Sequence, residues 1–311
     1  MAIAAAAVAV STWGLSGVIA KSIEDMGGIV IAGYRFIIYG VVVSLLMAGR
    51  GKPLTMRVMR ASMGGGIALG LGAALFFSSV KLTTVANASL INTLQPIMVG
   101  AVSARFFGER IKRRDVLLAL VAIVAVATVA FGATGSPKWS LTGDLLAVAS
   151  TFAWAGHFIF SKLAQGVISS NEYTLGAAMW CGLINLALAP VFGQSLAWPS
   201  RSSWVGILVL AFGAGVLGHM MMNGSIRQIP LWVASTMTLV IPVVSATAAW
   251  IFLDEPLTAV QLGAMAVVLL ALGGIVSSQT GIGARPRPLP LENRGRSPNQ
   301  QFRSTPPQGR S

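Results

Sequence analysis

The nine residues "ASLINTLQP", Ala88 to Pro96, interrupt a run of about twenty mostly apolar residues, enough to cross a bilayer. Farther along, "ASTMTLVIP", Ala234 to Pro242, does the same at an offset of 146 positions. Proline removes a backbone donor and frees the carbonyl one turn earlier. In a membrane this is tolerated only where other groups satisfy the backbone. Two such segments at matching places predict two kinked helices facing each other across a polar cavity. Helix packing alone is the bland alternative.

The match extends outward. At the same offset Phe106 and Glu109 fall on Phe252 and Glu255, and Ser79-Val80-Lys81 falls on Ser225-Ile226-Arg227. At an offset of 141, Trp13 and Lys21 fall on Trp154 and Lys162. A collinear series anchored on Trp, Pro, Glu and Lys predicts two copies of one unit.

Composition sets the class. Of 311 residues, 55% are hydrophobic and 10% charged, against about 25% charged in soluble domains. Ten stretches suit transmembrane helices: 2–20, 28–48, 62–80, 86–107, 115–134, 141–161, 173–193, 204–224, 231–252 and 257–278. The expected architecture is all-α and integral to the membrane. Ten transmembrane helices form two five-helix repeats, 2–134 and 141–279, around a central cavity. Residues 280–311, rich in Pro, Arg, Ser and Gln, read as a disordered cytoplasmic tail.

The net charge of +13 comes from basic residues clustered between apolar runs. Nucleic-acid binding, which needs a single basic stripe, is therefore not expected. With a cytoplasmic N-terminus, the inside loops hold Arg50, Lys52, Arg57, Arg60, Arg105, Arg110, Lys112, Arg113, Arg114, Lys162 and Arg227, and the tail is arginine-rich. The outside loops hold only Lys21, Lys81, Lys138 and Arg201. This bias predicts both termini inside, at the inner (plasma) membrane. Five helices per repeat is an odd number, so the second copy enters upside down, as in many secondary transporters. "MAIAAAAVAV" lacks a basic n-region, so a cleaved signal peptide is not expected. Cys181 is the single cysteine and forms no internal disulfide.

Polar residues in membrane helices point into the bundle or a cavity. Ser89, Asn92 and Pro96 share one helix face, flanked by Gln95; Ser235, Thr238, Pro242 and Ser245 repeat that stripe. Pro96 and Pro242 are the expected hinges. Trp13 and Trp154 fall near the middles of the first and sixth helices, to stack on an apolar substrate or to fill the core. His157 lies one turn from Trp154, and His219 pairs with Asn223 at i, i+4. Each histidine either touches substrate or bonds between helices. Arg35 lacks a counterpart in the second half and reads as a snorkelling side chain or a gate. Glu109 sits among basic residues and reads as a local ion pair. "GGGIALGLG" suits close helix contact, while the fifth and tenth helices should face lipid or a partner subunit. The candidate substrate-binding set is Trp13, Ser89, Asn92, Gln95, Trp154, His157, His219, Asn223 and Thr238.

"GLSG", Gly14 to Gly17, matches the G-x-S-G of rhomboid intramembrane proteases, with Ser16 as nucleophile and a histidine base as the enzyme alternative. Patterns for ATP hydrolysis, metal or flavin are missing from the sequence, so no cofactor is expected.

The segments "NASLINTLQPIMVGAVSARFFGERI", "VASTMTLVIPVVSATAAWIFLDEPL" and "YRFIIYG" resemble the fourth, ninth and second helices of EamA-type transporters in the drug/metabolite transporter superfamily. The resemblance covers roughly residues 5–279. It implies ten helices, inverted repeats and a central cavity, in a non-enzyme that moves small metabolites, amino acids favoured, by alternating access. YddG-type aromatic amino-acid exporters are the suspected branch. A monomer or weak homodimer in the lipid bilayer is expected.

Overall fold

The computed structural model describes residues 1–82, 88, 91–132, 140–253 and 256–280. The described residues are helical or in short connections, with no strand. Helix α1 spans Ala2–Lys21, α2 Gly28–Ala48, α3 Met56–Leu82, α4 Gln95–Phe106, α5 Arg113–Gly132, α6 Leu141–Leu163 and α7 Ser170–Val191. Helix α8 is composite: Arg201–Leu210 is α-helical, Ala211–His219 is π-helical and Met220–Ile226 is α-helical. Helix α9 runs Leu231–Thr236, passes through a 3₁₀ turn at Met237–Val240 and resumes as Ile241–Leu253; α10 is Ala259–Thr280. Nine stretches among the described residues are long and apolar enough to span a membrane. Part of the expected 86–107 helix lies outside the described residues, as do Ser89, Glu255 and the tail from Gly281.

The helices begin where side chains satisfy orphan N–H groups. Ser169 accepts from the Glu172 N–H at 3.3 Å, while Glu172 accepts from the Ser169 N–H at 2.6 Å, a capping box that opens α7. Ser140 accepts from Gly143 N–H at the start of α6 and Ser200 from Ser203 N–H at the start of α8. Such caps contribute about 1 kcal/mol each. On the outside loops of the expected topology, Gln194 accepts from the N–H groups of Ile29 and Val30 at the start of α2. Asp25 accepts from the Ser203 hydroxyl and the Ser200 N–H at the start of α8. These bonds hold the Asp25 carboxyl below the ordinary carboxylate range, the Ser203 hydroxyl contributing most.

The largest helix contacts form a pattern. Helix α3 packs on α6 and α7; α8 packs on α1 and α2; α4 packs on α6 and α9 on α1. Helices α2 and α7, α5 and α10, and α4 and α9 pair directly. Exchanging each helix with the one five places away returns the same set of pairs. The glycine run of α3 packs closely on α7, as its sequence implies: a Cβ on Gly66 would overlap Trp180 Cβ, and one on Gly65 would overlap the Tyr173 hydroxyl. The outer faces of α5 and α10 are apolar and exposed, with Val124 at 67% and Leu270 at 76%. Surfaces this apolar belong in hydrocarbon, not water.

Both prolines sit differently from the expected mid-helix kink. Pro96 is the second residue of Gln95–Phe106, after a turn at Thr93 and Leu94, and Pro242 is the second residue of Ile241–Leu253, after the 3₁₀ turn. The physical reason is shared. Proline lacks the N–H a helix interior needs, but its fixed φ suits a first turn, where N–H groups are unpaired anyway. The chain therefore breaks and restarts its helix at each proline.

Candidate substrate-binding site

The paired tryptophans lie against paired glycines. Trp13 of α1 faces Gly218 of α8, where an added Cβ would lie 2.7 Å from the indole nitrogen; Trp154 of α6 faces Gly72 of α3, where the same distance is 3.2 Å. Gly72 and Gly218 are themselves 146 positions apart, so the signal was present in the sequence and was not read there. Trp13 donates its indole N–H to the Ala214 carbonyl at 3.1 Å. The Trp154 N–H has no hydrogen-bond partner among the described residues, and the Gly72 carbonyl accepts from the Ser150 hydroxyl at 3.0 Å. Both tryptophans are half-buried.

Asn92 and Thr238, repeat partners at offset 146, are also half-buried. Asn92 donates to the Ala88 carbonyl at 3.0 Å, and its Oδ1 lies 3.2 Å from the Thr151 hydroxyl of α6. Thr238 donates to Ser235 O at 2.6 Å, and Ser245 donates to Gly14 O at 2.8 Å, joining α9 to α1. Gln95 is buried, and its Nε2 has no hydrogen-bond partner among the described residues. A buried amide left unpaired is rare and asks for a role.

His157, His219 and Asn223 form a second, more deeply buried group, each at most 3% exposed. His157 Nδ1 lies 3.0 Å from Gly65 O, and the Tyr173 hydroxyl donates to His157 O at 2.9 Å. His219 is the centre of an aromatic cluster, with ring centroids 5.0 Å from Trp13, 5.4 Å from Phe36, 6.0 Å from Tyr39 and 5.9 Å from His157. Asn223 donates to Thr174 Oγ1 and accepts from Ser161, both at 2.9 Å. Their polar contacts run between helices, the ordinary use of such residues in membranes. Phe36, Tyr39 and Tyr173 were missed as members of this cluster, because only folding brings α2 and α7 beside α8.

Cavities open near the α2–α3 and α6–α7 loops. One of about 230 Å³ is lined by Met47, Arg50, Lys52, Ser169 and Asn171. A much smaller one is lined in part by Ser161, Tyr173, Asn223 and Arg227.

Two other expectations are corrected. Glu109 does not act as a local ion pair: its carboxylate accepts from Leu231 N–H at 2.7 Å and Trp232 N–H at 3.2 Å, capping the start of α9. The unpaired N–H groups and the dipole at a helix N-terminus favour a carboxylate there. Ser16 is not poised as a nucleophile. Its hydroxyl donates to Trp13 O at 2.5 Å, and no hydrogen bond joins it to either histidine among the described residues.

A bundle of helices this long and apolar is that of a multi-pass membrane protein. The EamA-like transporter family model matches residues 1–131 and 141–277, so the chain belongs to the EamA-like transporter family. It is 27% identical over 280 residues to a probable amino-acid metabolite efflux pump of Salmonella typhimurium, covering 86% of this chain and 92% of that one. It is 26% identical over 141 residues to the aromatic amino acid exporter YddG of Ancylobacter novellus, covering 44% of this chain and 48% of that one. A solved crystal structure superposes with a TM-score of 0.78 at 18% identity, covering 90% of this chain and 98% of that one, which shows the shared fold. Nothing in these relationships supports a protease.

Proposed function

We propose that this transporter exports, or passes downhill, small and partly apolar metabolites, with amino acids favoured, by alternating access between two inverted five-helix repeats. The repeats are 2–134 and 141–279, and both termini lie on the cytoplasmic side of the inner membrane. The carrying observation is the matched pair of Trp–Gly contacts, Trp13 on Gly218 and Trp154 on Gly72, at repeat-related positions. The helix restarts at Pro96 and Pro242 sit at matching places too, and the packing is unchanged by exchange of the halves. Such symmetry supplies two equivalent closures of one central site. The name of the Salmonella relative, an amino-acid metabolite efflux pump, supports the substrate class.

Trp13, Asn92, Trp154 and Thr238, the half-buried members, border the substrate path in this reading, and Ser89 and Gln95 belong to the same stripe. His157, His219 and Asn223 back them. The protein is not an enzyme, needs no cofactor and works as a monomer or weak homodimer. Uptake and counterflow of a labelled amino-acid panel in proteoliposomes test the reading. Saturable flux of at least one member is expected. Well-folded protein that moves none of them would overturn the amino-acid assignment.

A further inference from the structure

Among the described residues, one arginine lies deep in a membrane helix. Arg35 lies seven residues into α2, Gly28–Ala48, and three from its middle. Seven residues of helix is about 10 Å of rise. The side chain is half-buried: its Nε is fully covered, and its guanidinium carbon stands 4.7 Å from the centroid of the Phe36 ring. Phe36 in turn touches His219, which touches Trp13. Arg35 is thus linked through aromatic rings to the tryptophan of the candidate site. It has no carboxylate partner and makes no hydrogen bond among the described residues. An intramembrane charge without a partner is expensive, and such residues characteristically mark a substrate pathway.

A second unpaired group sits on the helix packed against α2. Asn185 of α7 is fully buried and turns its Nδ2 to two carbonyls, Cys181 O at 2.9 Å and Gly70 O at 3.2 Å. Those two acceptors fix which end of the amide is nitrogen. Its Oδ1 is left buried with no donor. Asn185 Nδ2 is also 3.5 Å from Cys181 Sγ, and Cys181 shares a core cluster with Phe36, the neighbour of Arg35. One orphan cationic donor and one orphan acceptor therefore sit on the facing helices α2 and α7, where Gly182 packs against Ile37. Helices α2 and α7 are repeat equivalents, yet neither residue has a counterpart: Met179 falls near the place of Arg35. An asymmetric pair inside a symmetric frame fits a ligand that is itself unsymmetric.

We propose that Arg35 and Asn185 hold the head of a zwitterionic α-amino acid. The Arg35 guanidinium donates to the substrate carboxylate, and Asn185 Oδ1 accepts from its ammonium group. The apolar side chain points toward Phe36, His219 and Trp13. Arg suits the first role because its planar fork matches a carboxylate with two parallel bonds. This inference rests on the amino-acid reading above and sharpens it, since it requires both charged groups on one substrate.

The test uses the full chain in proteoliposomes, with labelled phenylalanine counterflow competed by phenethylamine, which lacks the carboxylate, and by 3-phenylpropionate, which lacks the ammonium. Wild type should prefer phenylalanine to both. Arg35→Gln should raise the half-saturation concentration for phenylalanine by roughly ten- to a hundredfold, leave competition by phenethylamine unchanged and so erase that preference. Arg35→Lys, which keeps the charge and loses the fork, should fall between and covers the case in which Arg35→Gln does not fold. Asn185→Ala should erase the preference over 3-phenylpropionate instead. If the folded Arg35 variants still discriminate against phenethylamine as wild type does, or weaken all three ligands equally, the carboxylate role is wrong even though transport stands. If wild type itself moves no amino acid, the functional reading fails first and this inference with it.

Discussion

The Trp–Gly pairs make an unequal prediction at two places related by the repeat. At Gly218 an alanine Cβ would lie 2.7 Å from both Trp13 Nε1 and Thr12 Oγ1, whereas ordinary contact begins at 3.4 Å. The indole must then retreat by about 0.7 Å. Ala214, whose carbonyl accepts the indole N–H at 3.1 Å, is one turn away on the same helix. A retreat from α8 would stretch that bond to about 3.8 Å, beyond hydrogen-bond range. Overpacking costs about 1–3 kcal/mol and the lost bond about 0.5–1.5 kcal/mol. Removing a helical glycine returns about 0.5–1 kcal/mol. Gly218→Ala should therefore destabilise by about 0.5–4 kcal/mol, most of it from overpacking, and slow transport. At Gly72 the corresponding Cβ lies 3.2 Å from Trp154 Nε1, and no indole bond is at stake. A shift of about 0.2 Å suffices, and the helix gain offsets it, so Gly72→Ala should be neutral within about 1 kcal/mol. Reversible unfolding in mixed detergent micelles, with counterflow on the same preparations, measures both. Equal effects at the two sites, or a larger loss at Gly72, would refute the geometry on which the site is built.

Trp154→Ala should lower transport while expression stays near wild type, because the indole is half-buried and its N–H holds no structural bond; a variant that fails to fold would make the residue core instead. Pro96→Ala and Pro242→Ala allow the helix to continue through the break, and should reduce turnover more than they shift half-saturation; the reverse pattern in steady-state flux would remove the hinge role. Downhill flux should persist when an ionophore collapses the proton gradient. The described acidic residues, Glu24, Asp25, Glu109, Asp115, Asp144 and Glu172, lie in loops or within about a turn of a helix end, and both histidines are committed to packing. Asp25 has a lowered pKa when folded, so its contribution is fully present above the unfolded value of about 3.9 and is lost as pH falls through the folded value. Wild type should melt above Asp25→Asn at neutral pH, and the gap should close below about pH 4; a constant gap across that range contradicts the capping role.

Much of the architecture was legible in one dimension, for a reason particular to membranes. Lipid requires each spanning segment to satisfy its own backbone, so helix number and approximate limits follow from apolar length alone. Observed limits such as Gly28–Ala48 coincide with the stretch read from composition, and α3, α7 and α8 differ from theirs by about half a turn to two turns at each end. The matching positions at offset 146 stood out because Trp, Pro and Glu are scarce in this chain. The same spacing pointed to the stripe of Asn92 and Thr238 and to the tryptophans. Tertiary structure alone decided how each residue is used. Whether a proline kinks a helix or restarts one depends on the turn before it. Glu109 caps α9 because α4 ends beside Leu231, and no local pattern encodes that meeting. His157 and His219, 62 positions apart in sequence, stand 5.9 Å apart because α6 and α8 converge there. Arg35 could have reached solvent by its sequence position. Its burial, and the unpaired carbonyl of Asn185 on the facing helix, arise only when α2 packs on α7, since desolvation is a property of neighbours that the chain order does not contain.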